Sequence, residues 1–400
     1  MGLVLNRHAT FLGRELLKLG FELRRQVAVP DDPPAMREAL EEALARADLV
    51  ITTGGLGPTS DDRTVEVIGQ TLGLSLREDR AVRESIADRF ARHGSKPLDA
   101  IFRQALIPEG AKALLNANGT APGLFAPLQG KTARVLLVLP GPPSELEPMF
   151  ENQAAPMLRE EFKVAAPLDM RIVRVAQVGE SVVQDMVEAR LRESFPDLEI
   201  GYCARPGEVD VRLMSKARRE ILDPAEALAR EILGEHVFGG DGAELEDVVV
   251  NALRQREQTL CVAESCTGGH LADRITNVPG ASEVFRQGWV TYSNEAKIRE
   301  LNVPSETLEK YGAVSALTAQ AMADGARRRA ESDFALAVTG IAGPSGGSVS
   351  KPVGTVFIAL AGPEQVQVHK GLYAYDRLTF KWSASQAALN MLRLELRKER

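Results

Sequence analysis

Hydrophobic positions in the first part of the chain alternate between helical and extended patterns. Apolar residues recur at helical spacing over residues 10–19 and 34–47, and they alternate as in a strand over residues 21–29. A short apolar run at residues 49–52 follows the second helix and has the length of a buried strand. This succession of helices and strands predicts an α/β fold.

Two glycine-rich turns follow predicted strands in this part. The strand at residues 49–52 leads into Thr53-Gly54-Gly55-Leu56-Gly57-Pro58-Thr59-Ser60-Asp61-Asp62, and the strand at residues 134–139 leads into Pro140-Gly141-Pro142-Pro143-Ser144-Glu145. Ligands of open parallel sheets bind at the carboxyl ends of the strands. We therefore expect both turns to converge on one sheet edge and to form a binding site there.

The middle part has the pattern of a small α+β unit. Strands are predicted at residues 170–177, 198–203 and 208–214, and helices at residues 180–192 and 223–233. No cluster of potential catalytic groups is present in this stretch. The run Gly239-Gly240-Asp241-Gly242 is more typical of a linker than of a nucleic-acid clamp.

The last part returns to an α/β rhythm. Helices are predicted at residues 245–256, at the residues leading to Ile275, at residues 315–329 and from Asp376 onward; strands are predicted at residues 259–263, 288–292, 334–338, 353–361 and 365–372. A second α/β layer follows from this pattern. The resulting boundaries are 1–165, 166–243 and 244–400.

Composition supports several domains and disfavours some functions. A chain of 400 residues exceeds what one hydrophobic core usually supports, and 44% hydrophobic with 26% charged residues is ordinary for globular proteins. No apolar run approaches the roughly 20 residues of a membrane helix. The N-terminus has no basic region followed by a long apolar stretch, so we expect a cytoplasmic protein without membrane contact.

Charge and cysteine content favour small-molecule chemistry. The net charge of -7 and five scattered histidines indicate no basic face for nucleic acid. The three cysteines, Cys203, Cys261 and Cys266, have neither disulfide nor zinc-site spacing. We therefore expect no nucleic-acid partner and no structural zinc.

Ser265 is the first candidate for chemistry in the last part. It lies where a strand turns into a helix, so its side chain can project above the sheet. The backbone N–H groups of Gly268 and Gly269 are predicted to be free at the helix start, where they could hold an oxyanion. The alternative is that Ser265 or Thr267 simply caps the helix.

A serine nucleophile needs a base, and Lys297 is the best placed candidate. It follows the strand end and polar run Thr291-Tyr292-Ser293-Asn294-Glu295-Ala296, so it belongs to the same sheet edge. His270 and His369 are the other choices. A lysine acts as a base only when it is neutral, which requires burial or a cationic neighbour; otherwise Lys297 is a solvated surface charge.

A second glycine-rich stretch could bind a phosphate. Thr339-Gly340-Ile341-Ala342-Gly343-Pro344-Ser345-Gly346-Gly347-Ser348 follows a predicted strand and can present backbone N–H groups. It lacks the lysine and spacing of a P-loop, and a surface connection is the alternative. Arg377 could pair with the same phosphate or be an ordinary surface residue.

Five stretches of the last part form a specific combination. They are Ala263-Glu264-Ser265-Cys266-Thr267-Gly268-Gly269, Val278-Pro279-Gly280-Ala281-Ser282, Val290-Thr291-Tyr292-Ser293-Asn294-Glu295-Ala296-Lys297, Gly312-Ala313-Val314-Ser315 and Ala337-Val338-Thr339-Gly340-Ile341-Ala342-Gly343-Pro344. With them the chain resembles the CinA family, named for competence and damage inducibility, over nearly its whole length.

The resemblance implies an activity for the C-terminal part. The family's C-terminal domain is similar to nicotinamide mononucleotide (NMN) deamidases, which release ammonia and nicotinic acid mononucleotide without a cofactor. By resemblance, Ser265 would attack the amide carbon, Lys297 would take its proton, and Tyr292 would position or polarise the pair. The candidate substrate-binding residues are Thr267, Gly268, Gly269, Thr339, Gly340, Gly343 and Arg377.

The N-terminal part resembles the family's molybdopterin-binding-like domain. The matching stretches are Thr53-Gly54-Gly55-Leu56-Gly57-Pro58-Thr59 with Asp61-Asp62, Asn118-Gly119-Thr120-Ala121-Pro122-Gly123 and Leu139-Pro140-Gly141-Pro142-Pro143. In some relatives this domain is linked to ADP-ribose pyrophosphatase activity, which would recruit Mg²⁺ or another divalent cation. The candidate nucleotide-site residues are Gly54, Gly55, Gly57, Asp61, Asp62 and Gly141, with Asp61 and Asp62 as metal ligands.

Alternatives stay open for this domain. The adjacent acids can form a solvated helix start, and the domain can be a non-catalytic module that binds a pterin or a nucleotide. Family members usually begin with a strand and a Gly-[Asp/Thr]-Glu-Leu-type turn before the stretch at residues 2–6, and this chain starts after both, with Arg7-His8 next. We therefore expect one strand and one ligand loop fewer, and altered nucleotide chemistry.

The complete expectation is an α/β protein of three domains. A three-layer molybdopterin-binding-like domain would be followed by a small α+β connector that resembles a KH domain and by an α/β amidase domain. The resemblance also implies a nucleotide substrate and a homodimer.

Overall fold

The computed structural model describes residues 6–128, 133–163, 169–215 and 218–398. The chain forms two compact units, Met1–Leu168 and Asp169–Arg400. The expectation about a first strand before residues 2–6 falls largely on residues 1–5, which lie outside the described residues.

The first unit contains six helices and six strands among its described residues. The helices are α1 (His8–Lys18), α2 (Pro33–Arg46), α3 (Thr64–Leu72), α4 (Arg80–Arg92), α5 (Pro143–Met149) and α6 (Ala155–Glu161). The strands are β1 (Leu49–Thr53), β2 (Leu76–Glu78), β3 (Leu106–Pro108), β4 (Lys112–Leu114), β5 (Gly123–Pro127) and β6 (Val135–Leu139).

The main sheet of this unit is covered on both faces. Its strand order is β1-β6-β5-β4, with β1 parallel to β6, while β2 and β3 form a separate ribbon. Strand β6 is buried throughout: Leu137 packs with α1, α5 and α6, whereas Leu136 packs with α2 and α3. Neighbouring residues of β6 therefore face the helices on opposite sides of the sheet. The predicted three-layer α/β fold is confirmed.

The strand predicted at residues 21–29 is wrong. This segment has no regular structure, and Leu23 and Val27 are 49% and 54% exposed. The apolar residues alternate along the chain, but no described strand pairs with them. Without a partner strand and a covering layer, alternation alone does not produce a strand.

The second unit begins with the connector, here residues 169–239. Its elements are β7 (Met170–Ala176), α7 (Glu180–Ser194), β8 (Glu199–Arg205), β9 (Glu208–Met214), α8 (Leu222–Leu233) and β10 (Val237–Gly239). The strand order is β10-β7-β9-β8, entirely antiparallel. Helices α7 and α8 bury apolar residues such as Val187 and Leu222 against β7 and β9, so the predicted α+β unit is confirmed.

The remaining residues of this unit build a five-stranded sheet. Its elements are α9 (Leu245–Gln255), β11 (Leu260–Glu264), α10 (His270–Thr276), β12 (Phe285–Val290), α11 (Asn294–Leu301), α12 (Ser305–Tyr311), α13 (Ala316–Ala330), β13 (Phe334–Gly340), β14 (Thr355–Ala361), β15 (Val366–Leu372) and α14 (Arg377–Arg397). The order is β12-β11-β13-β14-β15, with β11 parallel to both neighbours.

Burial of β11 explains where the site lies. Leu260 and Val262 pack with α9, α10 and α14, and Cys261 and Ala263 pack with α13 on the opposite face. Because β12, β11 and β13 are parallel, their carboxyl ends meet at one edge of the sheet. Ser265, Lys297 and the glycine-rich stretch at residues 339–348 all follow these strand ends.

Candidate active site

The loop carrying Ser265, residues 265–269, continues directly from β11. The N–H of Ser265 still bonds to the carbonyl of Val338 in β13, at 2.9 Å, so the sheet fixes the start of the loop. Gly268 and Gly269 then take positive φ values of 61° and 95° before α10 begins. Side chains rarely adopt this conformation, which explains two glycines at this turn. We call residues 265–269 the nucleophile loop.

The predicted role of the Gly268 and Gly269 amides is wrong. The Gly268 N–H donates to the carbonyl of Ser265 at 3.2 Å, and the Gly269 N–H donates to Glu264 Oε2 at 3.0 Å. Neither group is free to hold an oxyanion. The Gly268 amide is used within the turn itself, and the buried carboxylate of Glu264 takes the Gly269 amide at the start of α10, where a helix leaves N–H groups unpaired.

Lys297 lies beside Ser265 in the interior of the protein. It belongs to the first turn of α11, whose N-cap Ser293 accepts a hydrogen bond from the N–H of Ala296. Its side chain is fully buried, and Nζ is 3.2 Å from Ser265 Oγ. Lys297 forms no ion pair with any residue that the structure describes, and burial lowers the pKa of its ammonium group.

The hydrogen bonds around Lys297 fit a neutral amine. Nζ donates to the carbonyl of Thr291 at 2.8 Å and lies 3.5 Å from that of Tyr292. A charged ammonium would donate to both carbonyls and to Ser265 Oγ, whereas a neutral amine has two N–H donors for the carbonyls and keeps a lone pair that can accept from the Ser265 hydroxyl. The arrangement can therefore accept the serine proton, as a general base must.

Other candidate bases and nucleophiles are placed elsewhere. His270 Nδ1 lies 3.3 Å from Ser385 Oγ, its ring packs edge-on against Trp382, and His369 is exposed on β15. Cys266 is buried next to Ser265, and burial raises the pKa of its thiol to about 12. At neutral pH this cysteine stays protonated, so it does not compete with Ser265 as a nucleophile.

Tyr292 and Arg377 lie together at the surface. The Tyr292 side chain is exposed, and its hydroxyl accepts a hydrogen bond from Arg377 at 2.9 Å. Arg377 also donates to the carbonyl of Gly343 at 2.9 Å. The Tyr292 hydroxyl is thus bonded to Arg377, and Tyr292 approaches Lys297 through its backbone carbonyl.

The glycine-rich stretch at residues 339–348 is built by close backbone contacts. Thr339 is buried, and its hydroxyl donates to the carbonyl of Ala313 at 2.8 Å. A Cβ atom at Gly340 would lie 2.7 Å from the carbonyl oxygen of Thr355, while Gly343 has a φ of 75°. Thr339 and Gly340 therefore determine the backbone path of this stretch. Arg377 connects the stretch to Tyr292 through its hydrogen bond to the carbonyl of Gly343.

Among the residues beside Ser265, Thr267 was named from the sequence, whereas Thr291 and Lys381 were missed. The hydroxyl groups of Thr267 and Thr291 are buried without a hydrogen-bond partner among the described residues. Lys381, one helical turn after Arg377 on α14, points its amino group at the nucleophile loop: a Cβ atom on Gly268 would lie 3.6 Å from Nζ. The i, i+4 spacing of Arg377 and Lys381 was the available signal.

In the first unit, the two predicted glycine turns do converge. The N–H of Gly54 bonds to the carbonyl of Leu139 at 3.0 Å, and a Cβ atom on Gly141 would lie 3.6 Å from Gly54 Cα. Gly55 has a φ of 67°, and a side chain there would overlap the Thr64 hydroxyl. The glycines let both turns meet at the carboxyl ends of β1 and β6.

Of the two acids of this site, Asp62 forms hydrogen bonds within its own loop. Asp62 accepts hydrogen bonds from the N–H of Thr59, at 3.1 Å, and from its hydroxyl, and Gly57 leaves the room that this carboxylate occupies. Asp61 is exposed. The described part of the chain contains no group of three or more His, Cys, Asp or Glu residues that could hold a metal ion. Asp61 and Asp62 thus form no ready ligand cluster for a divalent cation.

Comparison with known proteins covers all three parts. A family model described as the CinA C-terminal domain matches residues 242–396, one described as a probable molybdopterin binding domain matches residues 1–160, and one described as the damage-inducible protein CinA KH domain matches residues 170–239. No helix of the described chain is long and apolar enough to cross a membrane.

Individual relatives match over the full length. A CinA-like protein of Akkermansia muciniphila is 45% identical over 100% of this chain and 95% of its own, and a putative competence-damage inducible protein of Moorella thermoacetica is 44% identical over 100% and 96%. A solved structure of the competence/damage inducible protein CihA from Agrobacterium tumefaciens is 41% identical over 38% of this chain and 94% of its own, with a TM-score of 0.38. The chain belongs to the CinA family.

Proposed function

We propose that the C-terminal part hydrolyses the carboxamide of NMN to nicotinic acid mononucleotide and ammonia. The observation that carries the proposal is the fully buried Lys297, whose Nζ lies 3.2 Å from Ser265 Oγ without a counter-ion among the described residues. A lysine next to a serine in such surroundings is suited to activating the hydroxyl. The resemblance of the surrounding motifs to NMN deamidases supplies the substrate.

The reaction would proceed through an acyl-enzyme. Ser265 Oγ attacks the carboxamide carbon while Lys297 Nζ takes the hydroxyl proton; the same amine then returns the proton to the departing ammonia. A water molecule, activated by Lys297, releases the acid from Ser265. No metal is required, because the nucleophile, the base and the proton donor are all supplied by these two side chains.

The remaining site residues would bind the nucleotide. Arg377 has no carboxylate partner among the described residues, and its guanidinium can pair with a phosphate next to Gly343. Tyr292, bonded to Arg377, would line the mouth of the site. The buried hydroxyl of Thr267 is next to the attacking serine and offers a hydrogen bond to the substrate. We also propose that the enzyme acts as a homodimer in the cytoplasm.

The test is ammonia release from NMN by the purified protein, with and without EDTA. We expect turnover that survives chelation and that Ser265→Ala abolishes. Ser383→Ala is the matched control, because Ser383 is also buried in this part of the chain but its hydroxyl donates to the Thr379 carbonyl on α14. Circular dichroism should show that all variants are folded.

The outcomes of this test distinguish an amidase from a metal-dependent pyrophosphatase and from a binding module. Absence of ammonia release from folded wild-type protein would contradict the amidase proposal. Turnover that requires a divalent cation would contradict the Ser265–Lys297 mechanism. Metal-dependent hydrolysis of ADP-ribose would instead favour a pyrophosphatase in the first unit, and nucleotide or pterin binding without turnover would favour a binding module.

A further inference from the structure

Glu264 is an unusual buried acid. It is the last residue of β11, it has no exposed surface, and it forms no ion pair with a described residue. A carboxylate removed from water is costly unless hydrogen bonds or charges compensate it. Some other arrangement must therefore stabilise Glu264.

Backbone N–H groups provide that compensation. Glu264 Oε2 accepts hydrogen bonds from Gly269 and Leu271, each at 3.0 Å, and Oε1 accepts one from Ala272 at 2.9 Å. These groups lie at the start of α10, where N–H donors lack partners within the helix and where the helix dipole favours a negative charge. The side chain of Glu264 thereby connects the end of β11 to the start of α10, and the nucleophile loop is the segment between these two points.

The main chain of Glu264 reaches the other catalytic group. Its carbonyl accepts a hydrogen bond from the N–H of Thr291 at 2.8 Å, and the carbonyl of Thr291 accepts one from Lys297 Nζ, also at 2.8 Å. One residue is therefore bonded to the loop that carries the nucleophile and to the segment that holds the base.

We infer that Glu264 is a positioning residue that sets the distance between Ser265 Oγ and Lys297 Nζ. Its carboxylate fixes the nucleophile loop against α10, and its carbonyl fixes Thr291, which in turn holds Lys297. Among the described residues, the side chain of Glu264 contacts backbone N–H groups of Gly269, Leu271 and Ala272, so we assign it a positioning role and not a part in proton transfer. The kinetic consequence of this inference rests on the proposed amidase function.

Glu264→Gln is the sharpest variant. It keeps the size of the side chain but replaces one accepting oxygen with an NH₂ group, which cannot accept from the N–H that it faces. We expect kcat for ammonia release to fall by about 10²-fold, as for a misplacement near 1 Å. KM for NMN should change much less than kcat, because Arg377, the proposed phosphate partner, lies outside the nucleophile loop. The pH at which the activity changes should stay close to that of the wild type, because the side chain of Lys297 remains buried beside the carbonyls of Thr291 and Tyr292.

Asp333→Asn is the matched control. Asp333 also accepts hydrogen bonds from the backbone, at the opposite end of β11, where its Oδ2 is 2.8 Å from both the N–H and the hydroxyl of Thr259. Asp333 lies directly before β13, so its substitution removes a carboxylate that holds the start of β11 without touching the nucleophile loop. We expect kcat within about 3-fold of the wild type, which is less than 1 kcal/mol in the barrier.

Hydrogen exchange tests the inference independently of activity. In Glu264→Gln, the amides of Gly269, Leu271 and Ala272 should exchange faster than in the wild type or in Asp333→Asn. Unchanged exchange would overturn the inference, as would faster exchange with full kcat. If the wild-type protein were inactive, the proposed function would be contradicted. The hydrogen-exchange comparison alone would then test whether Glu264 holds the nucleophile loop. If Glu264→Gln does not fold, Glu264→Asp, which keeps the charge but is too short to reach all three amides, replaces it in both measurements.

Discussion

At the scale of single residues, the proposed mechanism depends on the protonation state of Lys297. The two carbonyls and the Ser265 hydroxyl can accept hydrogen bonds from either form of the amine, so these contacts accommodate both protonation states. Burial removes the charge from water and lowers the pKa of Lys297 below its ordinary value of 10.5. Desolvation is therefore the effect that favours the neutral amine.

The first prediction concerns pH. We expect kcat/KM for NMN to rise with pH through an apparent pKa below 10.5, because the free enzyme becomes competent when Lys297 loses its proton. Lys297→Arg should be inactive throughout, since a guanidinium keeps its proton. Steady-state kinetics across the stable pH range measures both. A flat profile, or turnover by the arginine variant, would rule out Lys297 as the base.

The same burial predicts a cost in stability. The unfolded chain binds more protons than the folded one between the lowered pKa of Lys297 and 10.5, so the contribution of Lys297 to stability is unfavourable at neutral pH and recovers as pH rises through that range. Lys297→Met should abolish turnover and raise the free energy of unfolding at pH 7 by about 0.5–2 kcal/mol.

Urea denaturation provides the measurement for this substitution. The control is Lys310→Met, because Lys310 is exposed on α12 and its replacement should change stability by no more than about 0.5 kcal/mol. A Lys297→Met protein that is less stable than the wild type would contradict the assigned cost of burying this amine.

At the scale of elements, the position of α11 depends on a close helix crossing. Gly325 lies on α13 where that helix meets Leu301, the last residue of α11, and a Cβ atom at Gly325 would overlap the Leu301 carbonyl. Helix α11 also carries Lys297. A glycine in a helix interior is unfavourable by itself, and here it allows the backbones to approach.

Gly325→Ala should therefore displace α11. We expect a loss of about 1–3 kcal/mol in the free energy of unfolding, as for overpacked interiors, together with lower kcat. Arg328→Ala, on the exposed side of the same helix, is the control and should stay within about 0.5 kcal/mol of the wild type. Thermal unfolding and ammonia release measure the two effects; a Gly325→Ala protein of wild-type stability would show that the crossing is not tight.

Elements with buried apolar runs could be predicted from the sequence, and others could not. The runs that became β6, β11 and β13 have strand length and end in turns that contain glycine, so the strands and the sheet-edge position of each following loop were predictable. The segment at residues 21–29 shows an alternation of apolar and polar residues instead, and a sequence does not reveal whether a partner strand exists for it. Periodicity reports which side chains could be buried and leaves open what covers them.

The candidate site shows the same limit. The strand-to-helix turn at Ser265 and the sheet-edge position of Lys297 follow from local patterns. The burial of Lys297 depends on Thr291, on Ser265 and on helix packing contributed by distant segments. The hydrogen bonds that Glu264 makes to α10 likewise depend on burial of β11. Together with the bond from the Gly268 N–H to the Ser265 carbonyl, they occupy the amides that were predicted to be free.

At the scale of the whole second unit, buried polar groups join the connector to the sheet that carries the site. Arg174 on β7 pairs with Glu208, whose Oε2 accepts a hydrogen bond from Gln386 on α14 at 3.1 Å. Gln386 in turn accepts one from Arg274 on α10 at 2.6 Å, and Arg274 pairs with Glu246 on α9. The chain of contacts leads from the connector to the helix that follows the nucleophile loop.

Arg174→Met tests whether this network holds the unit together. The substitution removes the buried cation that contacts Glu208 and Asp210 and leaves them paired, among the described residues, only with Arg205, which is 40% exposed. Because Arg205 still compensates part of their charge, we expect a cost near the lower end of the about 3–5 kcal/mol that breaking a buried pair typically causes. Arg192→Met removes an exposed partner of Glu188 on α7 and should cost less than about 1 kcal/mol. Urea denaturation followed by circular dichroism compares them.

The shape of the urea unfolding transition shows whether the connector and the five-stranded sheet unfold together. With the network intact, the connector and the five-stranded sheet should unfold together, since separating them exposes Glu208, Gln386 and Arg274 at once. In Arg174→Met the connector should unfold at lower urea concentration than the sheet, so the single transition of this unit should divide. Equal stability of the two arginine variants would mean that other contacts join the connector to the sheet, among them the hydrogen bonds from Arg393 on α14 to the carbonyls of Val237 and Glu235. The network around Arg174 would then have no role in cooperativity.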